Sequence, residues 1–355
     1  MRVLYGVQGT GNGHLTRATS LVPAMRSCGI ETDLLFSGRP KEDFAQVGIA
    51  ENHCRYYSGL TFTSERGRIR PIKTLQDNHF RQFVTDIQQL DLSGYDLVIT
   101  DFEPVSAWAA RRQKIPSIGI SHQAAFRLPV PRVNGHLVSK GIMALFAPAN
   151  HYLGLHWHHF GLPILPPVIA EHKIKAPEKN KIVVYMGFED VGEIIRWLEP
   201  LRRWNFVIYA KTRTPEQFGH ITVKPLSNEF HSDLEVAEGV ISNAGFELAS
   251  ECITLGKKML VKPLAGQFEQ LSNAHCLNVM KRATVIHRLD SAVLGKWLEE
   301  PGCTPMPYGD VAGKISRWLA KGDFGNILPL AEECWAETHT PFTPTGLADA
   351  LQQTG

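Results

Sequence analysis

Nowhere in the 355 residues do apolar side chains run together for the roughly 20 positions that a membrane-spanning helix needs. Cysteine is scarce too: Cys28, Cys54, Cys252, Cys276, Cys303 and Cys334 are scattered, with no Cys-x-x-Cys pair among them. That spacing predicts reduced thiols rather than a disulfide framework or a zinc site. No leader segment is expected either, since Met1 runs straight into the apolar stretch Val3 to Val7. The expected location is therefore the cytoplasm. Strong charge of one sign is also absent: a formal net charge of +2 falls short of a nucleic-acid footprint, so nucleic acid is not an expected partner. Low-complexity tracts and short-period repeats do not occur.

What is present describes a folded α/β protein. Hydrophobic content of 43% and charged content of 20% suit a globular chain, and the length suggests two domains, each able to bury a core. The small charge is unevenly placed. Residues 1 to 165 hold 17 Lys+Arg against 12 Asp+Glu, a balance of +5, which leaves −3 for the remainder. A modest basic patch in the first half suits a phosphorylated acceptor or peripheral contact with the inner face of an anionic membrane.

The most informative stretch is Gly239 to Ala274, GVISNAGFELASECITLGKKMLVKPLAGQFEQLSNA. Its apolar start closes on Ser242, Asn243 and Gly245, a strand turning tightly into a helix. The first N–H groups of a helix lack intrahelical partners and carry partial positive charge, so a diphosphate can sit on such a turn. Glu247 and Glu251 follow at i,i+4, which places a carboxylate one turn beyond, within reach of a ribose diol. Gly256 is expected to end the helix. After the strand Lys258 to Val261, the loop Gly266 to Gln270 offers Gln267, Glu269 and Gln270, side chains suited to polyol hydroxyls.

In order and spacing this segment resembles the donor-binding signature of GT-B glycosyltransferases, in particular the MurG-like, family 28-type UDP-sugar transferases of cell-wall and polysaccharide synthesis. The resemblance implies that Asn243, Ala244, Gly245 and Phe246 meet the phosphates, that Glu251 holds the ribose, and that Glu269 and Gln270, with Gln267 beside them, hold the sugar. An ordinary strand–helix–strand unit with a polar loop is the alternative reading.

At the start of the chain, Val3 to Val7 leads into Gln8-Gly9-Thr10-Gly11-Asn12-Gly13-His14, with a helix expected from about Leu15. Glycines at alternate positions allow close backbone approach to a ligand. A dinucleotide fingerprint does not fit. Its third glycine, counted from Gly9, is His14, and Ser37 and Gly38 stand where an acid should end the second strand. The loop is instead similar to the first loop of the GT-B N-terminal domain, whose closing histidine faces the donor sugar. That resemblance makes His14 a catalytic candidate, with Gly11 and Gly13 near the substrate; hydrogen bonding within the loop is its plainer role.

Strands are predicted at 32–36, 53–57, 97–100 and 117–120, then at 182–186, 206–209 and 222–225, with helices between most of them. One of these helices is expected to reach about Trp204. Such alternation implies parallel sheets. Asp101 and Glu103 close one strand and Ser121-His122 the next, at the edge where open α/β sheets bind ligands. Asp101 is a candidate general base or an orienter of His14, and its alternative is to cap the helix that follows. His122 ranks second among the cleft residues. Arg66, Arg68 and Arg70 lie on a loop where they either meet acceptor phosphate or are solvated. The four histidines of NHYLGLHWHHFG invite a metal, with His156 and His158 on one face of an extended run, but no cysteine or carboxylate completes a set nearby. The reading therefore includes no metal and no cofactor. Gly187 occupies the position of the family's phosphate loop, yet Glu189 and Asp190 would repel a diphosphate unless they cap the helix instead.

Together these features predict an α/β GT-B fold: two Rossmann-like doubly wound parallel-sheet domains facing across a cleft. The expected division is an acceptor domain over 1–165, a linker over 166–180, a nucleotide-sugar domain over 181–325 and a helical tail over 326–355 that lies back on the first domain. The expected reaction is inverting, metal-independent transfer from a UDP-sugar to a hydroxyl of a lipid-linked or glycan acceptor. A nucleotide-sugar 2-epimerase and a non-catalytic sugar-nucleotide-binding protein remain as alternatives.

Overall fold

A computed structural model describes residues 1–44, 54–61, 64–65, 68–69, 71–133, 145–227 and 229–338. The chain forms two compact units. One comprises Met1–Thr63, Pro71–Ala170 and Tyr308–Gly355, the other Ser64–Arg70 and Glu171–Pro307. In chain order the elements up to residue 170 are β1 (Arg2–Gln8), α1 (Asn12–Ser27), β2 (Glu31–Ser37), β3 (Cys54–Tyr57), β4 (Ser64–Glu65), β5 (Arg68–Ile69), α2 (Pro71–Asp77), α3 (Phe80–Gln89), β6 (Leu97–Asp101), α4 (Pro104–Gln113), β7 (Ser117–Ser121), α5 (His122–Ala125) and β8 (His151–Gly154).

The first unit is built on a six-stranded sheet in the order β3-β2-β1-β6-β7-β8, every pair parallel. The central strands β1 and β6 are buried almost throughout, as in a sheet covered on both faces: all of β1 beyond Arg2 is buried, as is all of β6. From β1 the chain winds outward to β2 and β3, then returns to add β6 on the other side. The carboxyl ends of β1 and β6 therefore flank the topological switch point, where such sheets hold ligands. The four-residue β8 lies within the histidine-rich stretch and ends at Gly154, so His156 and His158 do not share a strand face. Arg68 lies on β5, which pairs with β4; Arg66 and Arg70, the other two of the arginine loop, lie outside the described residues.

The second unit continues with β9 (Lys181–Tyr185), α6 (Val191–Leu198), β10 (Asn205–Ala210), β11 (Glu216–Phe218), β12 (Ile221–Pro225), α7 (Glu229–Val236), β13 (Gly239–Ser242), α8 (Phe246–Leu255), β14 (Lys258–Val261), α9 (Phe268–Val279), β15 (Ala283–Val285) and α10 (Ser291–Leu298). Its sheet order is β11-β12-β10-β9-β13-β14-β15, parallel except for the edge strand β11. Here the switch point lies between β9 and β13. The helix expected to reach Trp204 stops at Leu198, because Pro200 has no N–H to continue the ladder. Trp197, Trp204 and Trp297 are buried in the core of this unit.

Gly256 closes α8 in a left-handed conformation at φ 67°, and a Cβ there would lie 2.5 Å from the Cys303 carbonyl oxygen. Gly256→Ala is therefore expected to destabilise this unit by about 1–3 kcal/mol, read as a lowered urea midpoint. An unchanged midpoint would show that the turn relaxes around the methyl.

The remaining helices, α11 (Val311–Lys321) and α12 (Leu328–Trp335), belong to the first unit, where α11 packs on α1. Two long-range bonds pin this return: Tyr308 Oη donates to the Trp157 carbonyl at 3.1 Å, and Trp335 Nε1 donates to the Ile164 carbonyl at 2.7 Å. Both aromatic side chains are fully buried, so each donor needs such a partner. No helix among the described residues is long and apolar enough to cross a membrane.

Candidate functional site

At the switch point of the first sheet, α1 starts at Asn12, three residues earlier than the sequence suggests. Gly11, extended at φ −135° and ψ 164°, is its N-cap. His14 thereby falls in the first helical turn and Arg17 one turn on, on the same face. Gly9 is needed for internal packing: a Cβ there would meet the Phe44 ring at 2.5 Å, whereas one on Gly11 would meet nothing within 4 Å. Of these two glycines, only Gly11 leaves space beside the loop.

Asp101 ends β6, directly opposite Val7 of β1. Its carboxylate is completely buried and filled from several sides. Arg17 donates through Nε to Oδ2 at 2.6 Å and through Nη2 to Oδ1 at 3.1 Å; Tyr5 Oη donates to Oδ2 at 3.3 Å; His14 Nδ1 stands 2.7 Å from Oδ1. Burial pushes the Asp101 carboxyl up, but Arg17 and His14 outweigh it and hold the group below the usual carboxylate range. An ionised Asp101 accepts the Nδ1 proton of His14 and leaves Nε2 as the basic nitrogen. The Arg17 Nη2 to Nδ1 distance, 3.3 Å, is longer than the contact to Asp101, so the carboxylate sets the tautomer. Asp101 has no exposed oxygen with which to take a substrate proton. Between the two candidate bases the geometry thus favours His14, with Asp101 as its orienter.

Capping of the next helix falls to Glu103. Its oxygens accept from Val105 N–H at 2.8 Å, Ser106 N–H at 2.6 Å and Ser37 Oγ at 2.6 Å, in full burial. This corrects two expectations: Asp101 does not cap the helix, and Glu103 does not face a substrate. The intervening Phe102 takes a left-handed φ of 55°, the turn that keeps Asp101 on the strand edge and sends Glu103 to the cap. His122 is also interior. It is 1% exposed, Nδ1 lies 2.8 Å from the Leu155 carbonyl, and its ring packs on Phe126, His156 and Trp157. The histidines after β8 turn onto their own backbone: His156, His158 and His159 each use Nδ1 to accept an N–H, from Trp157, Phe160 and Gly161.

In the second unit the turn after β13 has the anticipated form. Gly245 is the N-cap of α8 with no side-chain cap bond, and the space beside it is open. The turn is held from behind: Asn243 Nδ2 donates to the Lys262 carbonyl at 3.0 Å, and Asn273 Nδ2 donates to the Ala244 carbonyl at 3.0 Å. Ala244 and Phe246 are buried, so this turn offers a ligand backbone rather than those side chains. At the parallel position after β9, the two acids near Gly187 are both accounted for. Asp190 caps α6 by accepting from Glu193 N–H at 2.9 Å, and Glu189 pairs with Lys262 at 2.6 Å.

Glu251 lies in α8, 3% exposed, with Oε2 lacking a hydrogen-bond partner. Burial, with Glu247 one turn away, pushes its carboxyl up to about 8. Residues 269 and 270 sit in the first turn of α9 rather than in a loop, with Gln267 as N-cap. Gln270 is buried and its Oε1 accepts the Leu264 N–H at 2.8 Å, so that oxygen closes the loop rather than facing a sugar. Glu269 is half-buried, and Gln267 Oε1 is buried with no hydrogen-bond partner.

Sequence reading missed Arg17 and Tyr5, which brace Asp101, and His172 and His231, whose rings stand beside Glu251. Arg17 carried a signal in its i,i+3 spacing from His14. The two histidines carried none, since they are far from Glu251 in sequence.

The profile of glycosyl transferase family 1 matches residues 1–301. No curated protein sequence matches the chain. Among solved structures, the chain is similar to the glycosyltransferase of kitacinnamycin, at 15% identity and a TM-score of 0.57 over 94% of this chain and 97% of that one. It is similar to SsfS6 of Streptomyces sp. SF2575 complexed with thymidine diphosphate, at 13% identity and a TM-score of 0.55 over 99% of each chain. MurG of Acinetobacter baumannii is also similar, at 13% identity and a TM-score of 0.50 over 99% of each. With two Rossmann-like doubly wound sheets and a family match over most of its length, the chain belongs to glycosyl transferase family 1 and is a glycosyltransferase of the GT-B fold.

Proposed function

We propose that the enzyme transfers a sugar from a pyrimidine nucleoside diphosphate donor, with UDP as the first choice of nucleotide, to a hydroxyl of a lipid-linked or glycan acceptor, with inversion and without a metal in the transfer step. The observation that carries the mechanism is the His14–Asp101–Arg17 cluster. Buried Asp101, kept ionised by Arg17, turns His14 so that Nε2 accepts the acceptor proton. The acceptor oxygen then attacks the anomeric carbon from the face opposite the diphosphate. Charge developing on the leaving diphosphate is met by the open start of α8 at Gly245 and Phe246, which needs no cation. Glu251 holds the ribose, and Gln267 and Glu269 face the sugar.

TDP is the second choice of nucleotide, favoured by the thymidine diphosphate bound to SsfS6. A lipid-linked acceptor is supported by the exposed apolar Phe80 and Val84 on α3. The basic Arg111 and Arg112 lie on α4, which packs against α3. That combination also suits peripheral contact with an anionic membrane.

Isothermal titration with UDP, TDP and GDP, with and without magnesium, tests the donor. UDP or TDP is expected to bind without metal. Glu251→Ala is expected to weaken that binding by about 1.5–3 kcal/mol, through loss of hydrogen bonds to the ribose diol. Equal affinity in the variant would remove Glu251 from the site, and binding of GDP alone would overturn the pyrimidine assignment.

A further inference from the structure

Three side chains from separate segments of the second unit converge on one point. His172 comes from the connection entering the unit, His231 from α7 and Glu251 from α8. Glu251 Oε2 lies 3.9 Å from His172 Nε2 and 3.9 Å from His231 Nδ1, and the three atoms lie within 4.8 Å of one another. A separation of 3.9 Å is too long for a hydrogen bond. The side chains of His172 and Glu251 are only 2% and 4% exposed, yet His172 Nε2 and Glu251 Oε2 are both without hydrogen-bond partners. Polar atoms this deeply buried are normally satisfied. Here two unsatisfied ones face a third ligand atom across a gap of atomic size.

We infer that His172, His231 and Glu251 form a binding site for a divalent transition-metal ion of the zinc type. Two imidazole nitrogens and one carboxylate oxygen are the donor set of three-ligand zinc centres; magnesium and calcium favour all-oxygen sets. Metal–ligand bonds of about 2.0–2.2 Å in a tetrahedron place the donor atoms roughly 3.3–3.6 Å apart. The observed triangle is wider: rotation of the His231 ring, 47% exposed at the surface, shortens the two edges that end on it, and the 3.9 Å edge between His172 and Glu251 contracts as the ion binds. That exposure also provides an entry path and leaves the fourth position to water.

A consequence, resting on the proposed role of Glu251 in holding the ribose, is that the metal and the donor nucleotide exclude one another. A bound ion takes the oxygen that the ribose diol needs. Zinc then acts as an inhibitor at the donor site.

The test uses the full chain, freed of metal by a chelator and then titrated with Co2+ in the absence of nucleotide. One equivalent is expected to give the visible absorption of four-coordinate Co2+, abolished by added Zn2+. His231→Ala, a change at a half-exposed position, is expected to keep the melting temperature and to lower Zn2+ affinity by at least about tenfold against a competing chelating dye. Absence of a one-equivalent signal, or equal Zn2+ affinity in folded His231→Ala, overturns the site. UDP titration with Zn2+ present is read separately, with a raised apparent Kd expected for wild type. Metal bound with UDP affinity unchanged upholds the metal site and overturns the antagonism. UDP failing to bind the metal-free protein counts against the donor reading alone.

Discussion

Replacing His14 by alanine lowers kcat by about 10²–10⁴-fold, the usual contribution of a positioned general base, while nucleotide affinity changes little. The expectation follows from where the proton-accepting group sits. His14 is partly accessible, with 13% of its side chain exposed, whereas Asp101 at 2.7 Å from it has none. Of the two groups, only the imidazole has exposed surface. Steady-state kinetics with the donor found by titration, together with nucleotide titration of the variant, separate loss of chemistry from loss of binding. A variant that keeps wild-type kcat places the base elsewhere. A variant that loses nucleotide binding and turnover equally assigns His14 to donor recognition instead.

Arg17→Ala destabilises the protein by about 3–5 kcal/mol at neutral pH, the range found when one member of a buried ion pair is removed. Arg17 and Asp101 are 2% and 0% exposed, and the guanidinium reaches both carboxylate oxygens, so its loss strands a negative charge in the interior. The pH dependence has a definite sign. Asp101 titrates below its unfolded range in the native protein, so the stability it contributes is present above the unfolded carboxylate pKa and disappears as pH falls through the folded one. The gap between wild type and Arg17→Ala is accordingly widest near neutrality and narrows in acid. Arg17→Lys, which keeps the charge but not the two-pronged geometry, falls between them. Urea denaturation at several pH values measures all three. A neutral-pH loss well under 1 kcal/mol would mean that Asp101 is not held as an anion, and the orientation of His14 would need another explanation.

Asp101 and His14 were both visible as candidates because each closes a strand or opens a helix at the ligand edge of a parallel sheet. Their roles were not visible. Which of the two suits the proposed role of base turns on burial, and Arg17 from α1 and Tyr5 from β1 both contact the buried Asp101 carboxylate. Glu103 shows the same limit in reverse: a carboxylate beside the switch point by sequence is, in space, a buried helix cap. Gln270 has an amide suited to polyol hydroxyls, yet its Oε1 is taken by the Leu264 N–H.

Legible within the sequence are the alternation of strands and helices, the turn at Asn243 to Gly245 and the helix end at Gly256, whereas the GT-B class came from resemblance to that family. These are local properties: hydrophobic period, small residues before a helix and a glycine where φ is positive are written within a few residues of where they act. Tertiary structure alone decided which polar groups are buried together. The braced Asp101, the salt bridge that neutralises Glu189, and the meeting of His172 and His231 with Glu251 join residues tens of positions apart. Desolvation and charge pairing act through space, so their outcome is set by the packing and not by neighbours in the chain.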